Sequence, residues 1–540
     1  IMVIHPEGIF YSQLKKEFMA DIVEKTLKNG ELIKARLFKI QATKKKVSLE
    51  KEIPFYNLQK RIILGNNAFI DPTSMDDYIT VDGYKALAKA LKDMTPQDLL
   101  DEINASKLRG RGGGGFPAGI KWKTCAKFEG EKFVICNADE GDPGAYMDRS
   151  ILEGNPHSVV EGMILGGLAM GSSQGYVYVR HEYPLAVKNL TMAIDKAREY
   201  GFLGKNILGT NFNFDITISR GGGAFVCGES TALMASLEGK PGRPRAKYVH
   251  TVEKGFRESP TCLNNVETWA NVPTIINKGS EWFTKIGTEN SKGTKIFSLV
   301  GKVVNTGLVE VPMGTSLKTI IFDIGGGIPK KKKFKAVQTG GPSGGCIPEA
   351  HLDLGVDFDE LSKVGSIMGS GGMIVMDQDT CMVEVARYFV EFLQDESCGQ
   401  CNPCREGLKQ MLAILTGICE GKGKEGDIEL LEKIGTMVER FSLCGLGTSA
   451  PNPVLSTLHY FRDEYEAHIK NKKCPAGVCK PLFYYEIDQE TCTGCTLCAK
   501  KCPHDAITGD KKEPHYLDME KCIKCGICYD NCKFDAIAIK

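Results

Sequence analysis

Two runs near the carboxyl end carry cysteines at one repeated spacing: Cys492, Cys495, Cys498 and Cys502 in CTGCTLCAKKCP, then Cys522, Cys525, Cys528 and Cys532 in CIKCGICYDNCK thirty residues later. CxxCxxC lets three thiolates meet one face of a four-iron cluster, and where two such runs follow one another the fourth cysteine of each closes the other's cluster. The order assigns Cys492, Cys495, Cys498 and Cys532 to one [4Fe-4S] cluster and Cys522, Cys525, Cys528 and Cys502 to a second. A zinc ribbon would not call for eight thiolates in this order. A third quartet is Cys398, Cys401 and Cys404 in ESCGQCNPCREG with Cys444 forty residues on in FSLCGLG. A tight triplet with a distant closing thiolate fits another [4Fe-4S] cluster. Zinc is the rival there, although a tetrahedral ion needs no triplet. Cys474 and Cys479 in CPAGVC, with Cys381, His459 and His468 available, make a mixed inventory suited to a structural Zn²⁺, with Cys381, His468, Cys474 and Cys479 as the candidate set. Unligated thiols are the alternative reading of that pair.

A different chemistry is written into Arg109–Lys121, RGRGGGGFPAGIK, where five of six consecutive positions are glycine. Without a Cβ the main chain can touch a ligand, and successive amides can form an anion-binding nest. Arg109, Arg111 and Lys121 add positive charge, so a planar, phosphorylated ligand is expected. Gly110, Gly112 and Gly115 also match GxGxxG, but that motif needs a strand before it. Here Thr95 to Leu108 has a Thr cap and helical apolar spacing, which disfavours a dinucleotide βαβ turn. A ligand-free flexible loop is the bland alternative. Two further stretches weigh against it: CNADEGDPG after the apolar strand Phe133 to Ile135, with Asp139, Glu140 and Asp142 on one turn, and GGGAFVCGESTAL, a glycine turn entering a helix whose first amides are expected to be free for a phosphate.

These sites need several domains to position them, and 540 residues suffice. The net charge of +1 gives no reason to expect nucleic-acid binding, and no apolar run approaches the roughly 18 residues of a spanning helix. The 21 cysteines cluster in CxxC groups without a signal peptide, which favours metal ligation in a reducing compartment over disulfides; a cytoplasmic protein without membrane association is expected. Strands and helices alternate from Tyr84 to Trp282, the mark of an α/β layer. From Lys295 to Met376 short β runs between glycine turns suggest a small β-grasp module that packs between neighbours, with Lys330 to Lys333 as a solvated loop tip. Met382 to Ile469 is helical, and the last cysteines sit on an internal repeat. The remaining cysteines, Cys125, Cys136, Cys227, Cys262, Cys346 and Cys419, are expected to be mostly buried apolar residues.

With Asn264 and Asn265 in TCLNNVET, the glycine loop, CNADEGDPG and GGGAFVCGESTAL resemble, in order from about Arg61 to Ile469, the flavoprotein that takes NADH at the tip of respiratory complex I, and its relatives in soluble NAD-linked hydrogenases and formate dehydrogenases. The resemblance implies a multidomain α/β and α+β chain: 1–47, the remnant of a thioredoxin-like [2Fe-2S] domain and linker; 48–290, an FMN/NAD-binding α/β domain; 291–376, an SLBB-like β-grasp module; 377–470, a helical-bundle [4Fe-4S] domain; 471–486, a hinge with the Zn site; 487–540, a bacterial-type two-cluster ferredoxin domain. It assigns FMN to Gly110, Gly112, Lys121, Asn137, Asp139, Phe225, Gly228, Glu229, Asn264 and Asn265. It assigns the nicotinamide dinucleotide to Gly113, Phe116, Lys121, Asp142 and Lys247, with Phe116 as a stacking surface; without the family Phe116 reads equally well as a core aromatic. Where complex I members have two glutamates after CysGly, this chain has Glu229 and Ser230, with Ser230 counted among the cofactor-binding residues at that position, and His250 replaces an aromatic.

The ferredoxin extension makes the whole similar to the beta subunits of electron-bifurcating [FeFe] hydrogenases. That resemblance implies hydride exchange between NAD(H) and FMN and single electrons passed through three [4Fe-4S] clusters to ferredoxin and a separate [FeFe] hydrogenase catalytic subunit. It also implies a hetero-oligomer with a small thioredoxin-like [2Fe-2S] subunit, and a [2Fe-2S] cluster in a domain upstream of Ile1. The beta subunit of an NAD(P)-dependent formate dehydrogenase and a complex I-like subunit are the alternatives. A pure electron-transfer module without dinucleotide and a scaffold with purely structural clusters are the readings from other classes.

Overall fold

The computed structural model describes residues 1–40, 43–246 and 248–540. It falls into two compact units, one of 1–377 with 396–400 and 443–449, the other of 378–395, 401–442 and 450–540.

The first unit is built around a four-stranded parallel sheet. Strands β1 (Phe133–Ala138), β2 (Gln174–Arg180), β3 (Asp215–Gly221) and β4 (Thr261–Asn265) lie in the order β3-β2-β1-β4. The chain winds outward from β1 through β2 to β3, then returns to add β4 on the other side of β1. A crevice opens at the carboxyl ends of strands that flank such a reversal. Asn137 and Asn265 face each other across it, in register at the ends of β1 and β4. Helix α1 (Pro96–Ala105), capped by the Thr95 hydroxyl, precedes the glycine loop, so the loop follows a helix as the Thr cap predicts. After the loop comes helix α2 (Ala118–Lys127) with Trp122 buried in it. Helix α3 (Pro156–Met170) is buried on nearly every face, as its mostly apolar composition dictates, and its one buried carboxylate, Glu161, accepts hydrogen bonds from the Tyr78 hydroxyl and the N–H groups of Tyr84 and Leu87.

A second, mixed sheet follows in the same unit: β5 (Thr294–Gly301), β6 (Gly307–Pro312), β7 (Phe334–Thr339), β8 (Cys346–Pro348) and β9 (Gly372–Asp377), in the order β6-β5-β9-β7-β8. Its central pair, β5 and β9, is parallel and the rest antiparallel. Buried Glu310 on β6 accepts hydrogen bonds from the backbone N–H groups of Ile62, Ile63 and Leu64 at 2.8–3.1 Å and from the Thr294 hydroxyl at 2.6 Å. Replacing it leaves three buried donors without a partner, so Glu310→Ala is expected to cost about 2–3 kcal/mol, read as a lower apparent melting temperature with flavin content as a control. At the amino end Met2–Ile4 and Ile9–Tyr11 form an antiparallel hairpin, and irregular helical turns run from Lys16 to Lys28.

The second unit holds helices over Met382–Asp395, α4 (Asn402–Cys419), Asp427–Phe441, Asn452–Tyr460 and Arg462–Lys470. Beyond them the cysteine repeat folds as two matching halves, each a loop and a five-residue helix, Leu497–Lys501 and Ile527–Asn531. The outer strands Tyr485–Ile487 and Ile537–Ile539 pair antiparallel. The repeat extends to backbone conformation: φ is 61° at Gly494 and 57° at Lys524, 65° at Thr496 and 77° at Gly526, 48° at Asp505 and 51° at Asp535. A lysine and a threonine accept the left-handed region that glycine takes at the equivalent position, so the turn is set by what surrounds it. No helix among the described residues is long and apolar enough to cross a membrane.

Candidate functional site: a glycine-lined crevice and sets of converging thiols

The crevice at the ends of β1 and β4 is a cavity of about 620 Å³. Of the residues assigned to FMN or dinucleotide, Gly112, Gly113, Asn137, Asp139 and Asp142 line it, and so do Phe225, Gly228, Glu229, Ser230 and Asn265. Gly112 can stand where it does because it lacks a Cβ: one added there would lie 2.9 Å from the Asn265 Cβ. Gly113, at φ 127°, takes a conformation side chains resist and bridges to the backbone of Gly369.

Other assigned residues stand outside the lining. Gly110 closes the loop through its N–H to the Phe116 carbonyl at 2.9 Å. The Phe116 ring is 54% exposed, which excludes the core reading. The Lys121 ammonium reaches back to the Leu263 carbonyl at 2.8 Å and to Oδ1 of buried Asn264 at 3.2 Å. Lys247 lies outside the described residues. Arg111, expected to offer charge to a ligand, is fully buried and donates to the carbonyls of Arg109, Lys292 and Thr294. It braces the loop from behind, and burial lowers its pKa to about 10. Nor are the first amides of Ser230–Leu237 free for a phosphate: the Glu229 carboxylate caps that helix, accepting from the N–H of Thr231 at 2.8 Å and of Ala232 at 3.0 Å.

Part of the wall comes from loops of the mixed sheet, a region whose sequence suggests only a packing role. Gly340, Ser343, Phe358, Asp359 and Met368 to Ser370 all line the cavity. Arg109 ties the two layers together, pairing with Asp359 at 3.2 Å while its guanidinium lies 4.4 Å from the centre of the Phe358 ring. The segment after Cys444 adds Gly445, Leu446, Thr448 and Ser449 to the wall.

Carboxyl groups dominate the floor. Burial raises Asp139 to about 7 against the pull of Arg180, Glu140 to about 7 despite hydrogen bonds from the N–H groups of Asp148 and Arg149, and Asp142 to about 6. Both Asp139 oxygens and Nη1 of Arg180 are buried without a hydrogen-bond partner, 3.8 Å apart at closest. Unmatched buried polar atoms beside a cavity call for a ligand with complementary groups. A flavin mononucleotide fits: glycine backbone against its flat ring, orphaned acceptors and a donor for its polar edge and hydroxyls.

In the second unit the cross-assigned thiols converge. Cys492, Cys495, Cys498 and Cys532 line one small cavity, and Cys502, Cys522, Cys525 and Cys528 another. Backbone N–H groups donate to the sulfurs in matched fashion, Ala506 to Cys502 at 3.3 Å and Ala536 to Cys532 at 3.4 Å, joined by His515 to Cys492 and Lys524 to Cys522. Four thiols with amide donors in an apolar shell suit an iron–sulfur cluster, whose potential such bonds tune. Of the remaining quartet, Cys398 and Cys444 fall in the first unit; in the second, Cys401 immediately precedes helix α4 and Cys404 lies in its first turn.

Cys381, His468, Cys474 and Cys479 are all buried, with donor atoms within 4.8 Å of one another. The Cys381 and Cys479 sulfurs are 3.8 Å apart, the edge of a tetrahedron with metal–sulfur bonds of about 2.3 Å. Nε2 of His468 lies 3.4 Å from the Cys381 sulfur, while Nδ1 is 2.7 Å from the Glu464 carbonyl, which fixes the tautomer that presents Nε2 as a ligand. The donor set suits Zn²⁺. The six cysteines left over are all buried.

Comparison with known proteins adds three family matches: the Nuo51 FMN-binding domain over 103–274, the NADH-ubiquinone oxidoreductase-F iron-sulfur binding region over 384–468, and a 4Fe-4S dicluster domain over 485–539. The HndC subunit of the NADP-reducing hydrogenase of Solidesulfovibrio fructosivorans is 55% identical over 85% of this chain and 93% of its own length. An NADH-quinone oxidoreductase subunit of Rhizobium meliloti is 44% identical over 77% of this chain and 99% of its own. A crystal structure of an NAD⁺-reducing [NiFe]-hydrogenase superimposes with a TM-score of 0.67 at 30% identity, covering 86% of this chain and 75% of that one.

Proposed function

Because this chain belongs to the family of FMN- and NADH-binding flavoproteins of complex I and of NAD(P)-linked hydrogenases, we propose that it exchanges a hydride between NAD(H) and FMN in the glycine-lined crevice and passes single electrons to [4Fe-4S] clusters. It is an NAD(P)-dependent oxidoreductase. The observation that carries the reading is the shared wall: the cavity with orphaned Asp139 is lined by the residues that directly follow Cys444. FMN supplies the conversion between hydride and single-electron chemistry, and the protein binds, orients and excludes water. Asn137 and Asn265 hold the crevice edges, the Gly112–Gly114 backbone gives a flat surface, and Asp142 and Ser230 face the dinucleotide side, with exposed Phe116 as its stacking surface.

The chain carries three [4Fe-4S] clusters, on the quartets closed by Cys444, Cys532 and Cys502, and one Zn²⁺ on Cys381, His468, Cys474 and Cys479 that fixes the hinge at 471–486. We read the mixed sheet, with its parallel central pair, as the β-grasp module at 291–376, between an FMN/NAD domain at 48–290 and a bundle at 377–470, with the two-cluster ferredoxin domain at 487–540. That last domain, matched by the dicluster model over 485–539, favours a soluble bifurcating hydrogenase in which ferredoxin, an [FeFe] catalytic subunit and a small [2Fe-2S] subunit are the partners. Element analysis of the purified complex should give one FMN, one zinc and about twelve irons per chain, with visible absorbance bleached by NADH. Iron without NADH bleaching would reduce the chain to an electron carrier, and a co-purifying molybdenum or tungsten subunit would make it a formate dehydrogenase component.

A further inference from the structure

Asp142 enters the cavity from the turn after β1, yet what fixes it comes from the other sheet. The Ser370 hydroxyl, at the end of the loop leading into β9, donates to Oδ2 of Asp142 at 2.6 Å, and both residues line the cavity. Gly341, at φ 61°, backs the same carboxyl so closely that a Cβ there would come within 2.6 Å of its carbon. The Asp142 carboxylate is thus clamped between a hydroxyl and a bare backbone. We propose that Ser370 is a positioning residue for dinucleotide binding, holding Asp142 in the ionised, outward-facing form that accepts a hydrogen bond from the bound nicotinamide nucleotide.

This rests on the functional reading above and extends it to a residue 228 positions away in sequence. The charged groups facing Asp142 are Arg180 at the end of β2, which favours the carboxylate, and Glu140 on its own turn, which opposes it. Burial raises Asp142 to about 6, and the hydroxyl and N–H of Ser370 are the principal groups holding it down. Without the hydroxyl the folded carboxyl binds its proton more tightly. The ionised form would then be lost at a higher pH as pH falls.

The test is the pH profile of NADH:ferricyanide activity in the complete complex. In the wild type kcat/KM for NADH should fall on the acid side through an ionisation near 6. Ser370→Ala should move that limb up by about one pH unit, raising KM several-fold near neutrality while kcat at alkaline pH is retained. Ser370→Thr, which keeps the hydroxyl, should restore the limb. Asp142→Asn should abolish it, and Ser370→Ala should then have no further effect. An unmoved limb in Ser370→Ala, or a KM increase equal at every pH, overturns the proposal. A wild type that NADH fails to reduce overturns the functional reading and this inference with it, whereas reduction with a fixed limb overturns the inference alone.

Discussion

Cys502→Ser should extinguish the cluster signal that Cys525→Ser also extinguishes, and leave the one removed by Cys495→Ser. Cys502 follows Cys498 by four residues, so assignment by sequence neighbourhood would place it with Cys492, Cys495 and Cys498. Its sulfur instead faces the cavity of Cys522, Cys525 and Cys528, while Cys532 crosses the other way. The comparison is by electron paramagnetic resonance of the reduced complexes, with iron analysis. Each variant should lose up to about four irons from a total near twelve. Identical residual spectra for Cys502→Ser and Cys495→Ser would show that each run closes its own cluster.

The second large effect is at the crevice. Gly112→Val should give protein nearly free of flavin, below about a tenth of an equivalent, that keeps its iron and fails to bleach with NADH. Gly112 has an ordinary φ, so the backbone tolerates substitution; the obstacle is that a Cβ would meet Asn265 at 2.9 Å, in a wall packed too tightly for a neighbour to yield. The branched side chain therefore either fills the space beside Asn265 or pushes the β4 end outward, and both close the surface meant for a flat ring. Asp139→Asn is the milder companion. It keeps the shape and removes a buried charge, so flavin content should change less than the midpoint potential. Full flavin occupancy in Gly112→Val would mean that the ring lies elsewhere.

What could be read from the chain alone follows the range of the interactions. Cysteine spacing and the glycine run are local signals, and the residues they mark do converge: ten of the residues assigned to the two nucleotides share one cavity, and the cross-assigned thiols meet in pairs of matching halves. The Cys381, His468, Cys474 and Cys479 set also comes together, although three separated segments supply it. Misreadings arise where a long-range partner decides what a side chain does. Arg111 looks like a ligand-facing cation until the carbonyls of Lys292 and Thr294 claim it, and the first amides of Ser230–Leu237 look free for a phosphate until the Glu229 carboxylate caps them. Asp148 and Ser370 escape assignment because nothing in their neighbourhood separates a cavity-lining carboxyl or hydroxyl from a solvated one, and Glu140, named among the three carboxyls of its turn, is given no ligand. A signal is present for Glu140, in its place between two acidic residues on the turn after a buried strand.

The sharing of one crevice by two sheets bears on any attempt to transplant this chemistry. A fragment ending at the sequence boundary near 290 would retain every glycine of the loop and every residue assigned to FMN, yet lose Asp359, Phe358 and the 367–370 stretch that face them. Such an excised piece would present an open trough with Arg109 stripped of its counter-charge and Asp142 of its clamp. The smallest portable unit is accordingly the pair of layers together with the 443–449 segment that completes the wall, and grafts or minimal reductases engineered from this scaffold should keep all three.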